Sequence, residues 1–291
     1  MPISLPLVWL ASYPRSGNTW FRAFLTALLN PEDDAIQLNE LLAPPASTHA
    51  IFDDAYGIDT HFLTHEEIDQ RRAELYESWQ QNITEKNRFF RTHDAYTYRS
   101  DGSPLLGHFT HQIALYFIRN PLDVAVSFAH LRGVENREDM IDKMNDTTYG
   151  FARGNTFFEI PCRQRLLSWS QHVLSWVDEA KMKVHLIRYE DMLNNSLFTF
   201  YSAVKFLGLT EYDQAQVKEA LESCRFSRLQ NQEQESGFRE RPKTAKTFFR
   251  KGQVGSYREI LNQGQIDRLL DAHGSVMQRF DYLDQRGFPV F

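Results

Sequence analysis

Leu7-Val8-Trp9-Leu10-Ala11-Ser12-Tyr13-Pro14-Arg15-Ser16-Gly17-Asn18-Thr19-Trp20 is the stretch on which the fold turns. Leu7 to Ser12 is a short apolar run with no helical period, and Tyr13 to Asn18 has turn composition. From Thr19 to Leu29 the residues Phe21, Phe24, Leu25, Leu28 and Leu29 return to one helical face. The unit reads strand, loop, helix, and two more follow it. Ile113 to Ile118 ends at Arg119-Asn120-Pro121, after which Asp123 to Leu131 reads as a helix with a proline in its first turn. Lys183 to Arg188 leads into Tyr189-Glu190-Asp191 and a helical stretch through Phe206 that Gly208 closes. Strands alternating with helices predict an α/β fold, a single domain over residues 1–291 with a central parallel β-sheet flanked by helices. Ligands on such sheets bind at the carboxyl ends of strands. The stretches 30–64, 133–159 and 225–250 interrupt the rhythm and are expected to be variable loops, acting as lids or binding loops or left disordered.

A chain of 291 residues, 42% of them hydrophobic, can bury a large core. Its two cysteines, Cys162 and Cys224, lie far apart and fit no CxxC or His/Cys metal spacing. Neither a disulfide scaffold nor a zinc site is expected, and a reducing, cytoplasmic setting is the default. The first ten residues are apolar but lack a basic leader, and no apolar run of about 18 residues follows. Neither signal peptide nor membrane anchor is expected. A net charge of -6 argues against broad nucleic-acid binding, which needs a basic face, but leaves room for a local anion site made of clustered arginines.

The turn from Tyr13 to Trp20 combines the parts of an anion pocket. A helix start offers unpaired N–H groups and the positive end of the macrodipole, Gly17 permits close approach, Ser16 and Thr19 bring hydroxyls, and Arg15 brings charge. The same spacing fits an ordinary strand-to-helix turn capped by Ser or Asn. It is not a Walker A loop, because GxxxxGK followed by Ser or Thr occurs nowhere in the chain. His93 follows the short run Phe89-Phe90-Arg91-Thr92 and is a candidate general base, with a structural or surface role as the other reading. Arg119 and Ser127, across a strand end and the next helix, suit one phosphate, unless Arg119 pairs with a carboxylate such as Asp123. Phe249-Arg250-Lys251-Gly252-Gln253-Val254-Gly255 sets two cations beside two glycines, as in a phosphate loop or a solvated basic turn.

In this order, these segments resemble the cytosolic-type sulfotransferases that use 3′-phosphoadenosine-5′-phosphosulfate (PAPS). The family's YPKSGTTW is matched by Tyr13 to Trp20, its KTH by Arg91-Thr92-His93, and its RNPKDVAVS by Arg119-Asn-Pro-Leu-Asp-Val-Ala-Val-Ser127. Its YEDM recurs as Tyr189 to Met192, and its RKG with a later glycine recurs as Arg250-Lys251-Gly252 and Gly255. The resemblance runs from residue 7 to about 260. It implies a P-loop-like phosphosulfate-binding loop in which Ser16, Gly17, Asn18 and Thr19 hold the 5′-phosphate and Trp20 stacks on adenine. It implies Arg119 and Ser127 on the 3′-phosphate, together with Arg250, Lys251 and the Gly252 amide. Tyr189 would touch the adenine edge and Phe226 its other face.

The implied reaction is transfer of a sulfuryl group from PAPS to a hydroxyl or amine of a small acceptor by in-line displacement, with 3′,5′-ADP (PAP) as product. His93 would be the base, and Arg15, Thr19 and Ser127 would steady the leaving group with no metal. Several residues depart from the pattern. Arg15 and Arg91 stand where the family has lysine, Cys224-Arg225-Phe226 replaces TSF, and the dimerisation motif KxxxTVxxxE is missing after Gly255. Monomer and homodimer therefore both stay open. Arginine keeps its proton, so Arg15 is expected to act by charge and hydrogen bonds. The acceptor is expected to be small and apolar or aromatic, with Tyr56, Phe62, Tyr96, Phe157, Phe158 and Phe238 as candidate lining residues. No nucleic-acid or membrane partner is expected. The competing functions are a metal-dependent small-molecule kinase on a related phosphate-loop fold and a non-catalytic PAP-binding module.

Overall fold

The computed structural model describes residues 5–32, 36–80, 83, 84, 86, 88–108, 110–134, 136–152 and 162–291. The chain opens with β1 (Leu7–Ser12) and α1 (Asn18–Leu29), followed by α2 (His49–Tyr56), α3 (His65–Trp79), β2 (Phe89–Thr92) and β3 (Gln112–Ile118). Next come α4 (Pro121–Arg132), α5 (Arg137–Asn145), β4 (Gly150–Phe151), β5 (Gln164–Arg165), α6 (Trp169–Leu174) and β6 (Lys183–Arg188). The last third is helical: α7 (Tyr189–Asn194), α8 (Ser196–Phe206), α9 (Gln214–Ser223), α10 (Phe226–Ser236) and α11 (Gln263–Arg279).

All six residues of β1 are buried, which a strand tolerates where both faces of its sheet are covered. β1 pairs in parallel with β2, Val8 opposite Phe89 and Ala11 opposite Thr92. The order β2-β1-β3-β6 completes a four-stranded sheet, and β4 and β5 form a separate antiparallel pair. The architecture is α/β, a central parallel sheet flanked by helices.

The chain divides into two compact units. One holds Met1–Tyr13, Ala43–Tyr116 and Asp146–Leu186; the other holds Pro14–Leu42, Phe117–Asn145 and Ile187–Phe291. In the first, Trp9 meets Tyr76 edge-on at 5.0 Å and Tyr116 stacks on Trp176 at 6.0 Å, all four rings being buried. In the second, Phe200 receives Phe21 and Phe24 from α1 at 5.5 and 4.7 Å. Burying each such ring contributes roughly 2 to 3 kcal/mol.

Local chemistry sets the helix ends. Pro121 occupies the first turn of α4 as expected, the Asn120 side chain accepts from Leu122 N–H, and Gly133 ends the helix in the left-handed region at φ 65. Thr64 with Glu67 and Asp213 with Gln216 form capping boxes on α3 and α9.

Two expectations need correction. The interrupting stretches are not loops throughout: α2 lies in the first, α5 in the second and α10 in the third. All three are short, and α5 and α10 are polar. α10 buries only Leu229 and Glu233, so it lacks the apolar stripe that marks a helix in sequence. The helix expected to run through Phe206 breaks at Asn195, whose φ of -139 and ψ of 51 separate α7 from α8.

Candidate functional site

The second unit contains nearly every residue expected to bind nucleotide. The loop between β1 and α1 carries Arg15 at φ 71 and Gly17 at φ 104, and Gly17 caps α1 without a side-chain hydrogen bond. No side chain caps the first turn of α1, where the helix dipole favours an anion. Glycine is obligatory at position 17, because a Cβ there would lie 2.9 Å from Tyr189 Cδ2 and 3.2 Å from Met192 Sδ. Ser16 is buried, and its hydroxyl has no hydrogen-bond partner among the described residues. A buried hydroxyl of this kind is costly unless something completes it.

Arg15 reaches away from its own loop. Its Nε donates to Ser127 Oγ on α4 at 2.9 Å, its Nη2 donates to the Phe248 carbonyl at 2.8 Å, and its guanidinium lies 4.4 Å from the Phe248 ring centre. Arg119, at the end of β3, donates to the Arg15 carbonyl at 3.1 Å and to the Gln253 carbonyl at 3.0 Å, and stacks over Tyr189 at 4.1 Å. Its Nε is buried without a partner among the described residues. Asp123 does not pair with Arg119. Its carboxylate accepts from Gly255 N–H at 2.7 Å, Ser256 Oγ at 3.1 Å and Tyr257 N–H at 3.1 Å.

The loop from Phe248 to Tyr257 is thus clamped at both ends. Asp123 holds its far end, while Glu233 on α10 accepts from the Phe248 and Phe249 amides at 2.7 and 2.9 Å. Between them Gln230 donates to the carbonyls of Phe249 and Arg250. Gly252 has φ +60 and rests on the Phe226 ring, so that a Cβ would come within 2.6 Å of Phe226 Cδ2. Sequence reading missed the two clamps; Asp123 was visible only as a neighbour of Arg119, and Glu233 lay in a polar tract.

The electrostatics of this unit are unbalanced. Burial first, and then the nearby Arg119, lower the Arg15 pKa to about 10, with Arg250 acting in the same direction. Arg250 is lowered by burial and then by Arg119. Among the described residues none of these three guanidiniums has a carboxylate within 4.0 Å. Lys251 differs, since its ammonium pairs with Glu259 at 3.0 Å on the surface. Trp20 donates from Nε1 to the Cys224 carbonyl at 3.1 Å and meets Phe200 and Tyr189 edge-on at 5.3 and 6.4 Å. Thr19 lies in the first turn of α1.

His93 belongs to the first unit, directly after β2. Its Nδ1 lies 2.8 Å from the Ser12 carbonyl and 3.3 Å from Ser12 Oγ. A carbonyl only accepts, so Nδ1 carries a hydrogen, and in the neutral ring Nε2 is the basic nitrogen. Asp94, the next residue, is buried and accepts from Arg72 Nη2 at 2.5 Å, Arg165 N–H at 2.9 Å and the hydroxyls of Ser47 and Thr92 at 3.2 Å. Arg91 is tied by its main chain, donating to the Pro44 carbonyl and accepting from Ala46 N–H, both at 3.0 Å.

The described aromatic residues expected around the acceptor each have their own neighbours within their unit. Tyr96 is packed against Tyr98 and Trp176, Phe238 against Phe248 and Phe249, and Tyr56 donates to the Arg71 carbonyl. Phe62 is 77% exposed. Phe157 and Phe158 lie outside the described residues. One group of donors, Asp53, Asp59 and His61, lies close enough together for a cation, but Asp53 accepts from Thr60 and Asp59 from His61.

A family model described as the sulfotransferase domain matches residues 5–281. The chain belongs to the sulfotransferase family. Among its curated relatives, cytosolic sulfotransferase 1 of Arabidopsis thaliana is 25% identical over 273 residues, covering 90% of this chain and 76% of its own length. Cytosolic sulfotransferase 16 of the same plant is 25% identical over 286 residues, covering 93% and 75%. Solved structures share the sulfotransferase fold. A retinol dehydratase in complex with androsterone and the inactive cofactor PAP superposes with a TM-score of 0.60 at 17% identity, covering 98% of this chain and 84% of its own. A mouse sulfotransferase complexed with PAP gives 0.56 at 19% identity, covering 94% and 84%. No helix among the described residues is long and apolar enough to cross a membrane.

Proposed function

We propose that this sulfotransferase moves the sulfuryl group of PAPS onto a hydroxyl or amine of a small acceptor, and that residues 1–291 act as one sulfotransferase domain. The observation that carries the reading is the trio of buried Arg119 and half-buried Arg15 and Arg250, which among the described residues has no carboxylate within 4.0 Å, in the unit that holds the start of α1. Such a site is stabilised by polyanions. The fit extends to single atoms: Ser16 Oγ and Arg119 Nε are buried donors without acceptors among the described residues, and Gly17 and Gly252 hold left-handed turns against Tyr189 and Phe226 that a side chain would disrupt. The family model runs through both units without a break, which supports one working domain.

The donor supplies an activated sulfur–oxygen bond whose cleavage releases 3′,5′-ADP. Ser16, Gly17, Asn18 and Thr19 hold the 5′-phosphate; Arg119, Ser127, Arg250, Lys251 and the Gly252 amide hold the 3′-phosphate. Trp20, Tyr189 and Phe226 face the adenine. Nε2 of His93, the basic nitrogen of the tautomer that Ser12 selects, takes the acceptor's proton as the acceptor heteroatom bonds to sulfur. Arg15, with Ser127 at its Nε, stabilises charge on the departing phosphate oxygen and gives up no proton. The cytosolic relatives and the buried free thiols of Cys162 and Cys224 support a cytoplasmic setting. Relatives crystallised with androsterone and retinol favour an apolar acceptor.

Thermal shift with 3′,5′-ADP, AMP and ATP with Mg²⁺ tests the nucleotide half. Selective stabilisation by the doubly phosphorylated adenosine is expected, about 2.7 kcal/mol at 100 times Kd; a preference for ATP with Mg²⁺ would mean a kinase. Transfer of labelled sulfate to phenols and steroids tests the other half. His93→Ala is expected to lose on the order of 10²- to 10⁴-fold in turnover while keeping the 3′,5′-ADP shift. Absence of transfer by the parent enzyme to every acceptor, with that shift intact, would leave a PAP-binding module.

A further inference from the structure

Behind His93, in the same unit, lies a second histidine that the reaction does not use. His172 on α6 is completely buried, with Nε2 3.1 Å from the main-chain oxygen of His93 and Nδ1 2.8 Å from the Tyr116 hydroxyl. The Tyr13 ring meets it edge-on at 5.3 Å. The protons follow from the partners. The His93 carbonyl can only accept, so His172 Nε2 carries hydrogen; Nδ1 is then bare, and the Tyr116 hydroxyl must donate to it. Burial lowers the His172 pKa to about 3 and raises that of Tyr116 well above its ordinary value, so both groups stay neutral and the pattern holds across working pH.

We propose that His172 is a positioning residue for His93, with Tyr116 selecting the tautomer that lets it act. The inference rests on His93 being the base. A base is useful only when its lone pair is aimed, and contacts at both the ring and the main chain of His93 serve that end. Ser12 at the end of β1 orients the ring through Nδ1, and His172 anchors the peptide carbonyl from which that ring springs. Without the Tyr116 hydroxyl the buried Nδ1 loses its donor and only the His93 carbonyl favours the Nε2-protonated form of His172; in the other tautomer two lone pairs oppose each other at that carbonyl.

Tyr116→Phe removes one hydroxyl and conserves the ring that stacks on Trp176. It is expected to lower kcat about tenfold, with KM for both substrates and the 3′,5′-ADP thermal shift unchanged. His172→Gln, which can still donate to the carbonyl, should keep more kcat than His172→Phe. ¹⁵N spectra of the unaltered enzyme provide a check that needs no variant: His172 protonated at Nε2 and His93 at Nδ1. A dead His93→Ala together with a Tyr116→Phe enzyme of full kcat overturns this inference alone, as does the opposite tautomer of His172. An active His93→Ala removes the base reading itself, and this proposal with it.

Discussion

Arg15 shows how much a guanidinium can tie together from one loop position. The family's lysine at this position would present a single mobile charge, whereas the guanidinium here makes two directed bonds, to Ser127 Oγ and the Phe248 carbonyl, and lies over the Phe248 ring. Its backbone adopts φ 71, a conformation that costs a non-glycine residue about 1 kcal/mol, so the surrounding contacts must hold it there. Arg15→Lys keeps the charge and loses one bond to a charged donor. Turnover at saturating donor should persist, with KM for the donor raised about tenfold, as steady-state kinetics would show. A variant inactive even at saturation would mean that the fork itself stabilises the leaving group.

At the scale of elements, the loop from Phe248 to Tyr257 carries its own support. A basic loop with Gly252 and Gly255 at φ +60 and +78 would be mobile if left alone. Two carboxylates on separate helices accept five of its donors, and Arg119 binds its middle through Gln253. Asp123→Asn leaves the shape but replaces an oxygen acceptor by a donor opposite other donors. The 3′,5′-ADP affinity measured by calorimetry should fall about tenfold, equivalent to about 1.4 kcal/mol. Unchanged affinity would show that Glu233 and Arg119 suffice. Gly252→Ala meets both the Phe226 ring at 2.6 Å and a backbone angle alanine resists, so its affinity loss should exceed that of Asp123→Asn.

For the whole molecule, buried neutral histidines tie stability to pH. His172 and His273 are held by burial at about 3 and about 4, well below the ordinary histidine value of about 6.5. Between those values and 6.5 the unfolded chain binds more protons than the folded one. The stabilisation is therefore complete above pH about 6.5 and is lost as pH falls towards the folded-state values. The melting temperature should drop steadily from pH 6.5 to 4. His273→Gln on α11 cannot take up the proton, so its melting curve should depend less steeply on pH over that range; an unchanged slope would place the acid sensitivity elsewhere.

What could be read directly from the chain was whatever lies close together in sequence. The apolar run before Tyr13 and the stripe from Phe21 to Leu29 determined strand, loop and helix, because burial on a sheet or a helix face imposes a short period. The ordered segments ending at Gly255 determined the family. Only tertiary structure decided which distant groups meet: that Arg15 spends its fork on Ser127 and Phe248, that Asp123 serves the basic loop and not Arg119, that Lys251 pairs with Glu259, and that His172 backs His93. The reason is physical. A hydrogen bond between residues separated by a hundred positions leaves no period in the sequence, and a polar helix such as α10 is held in place by what it touches, not by its own pattern.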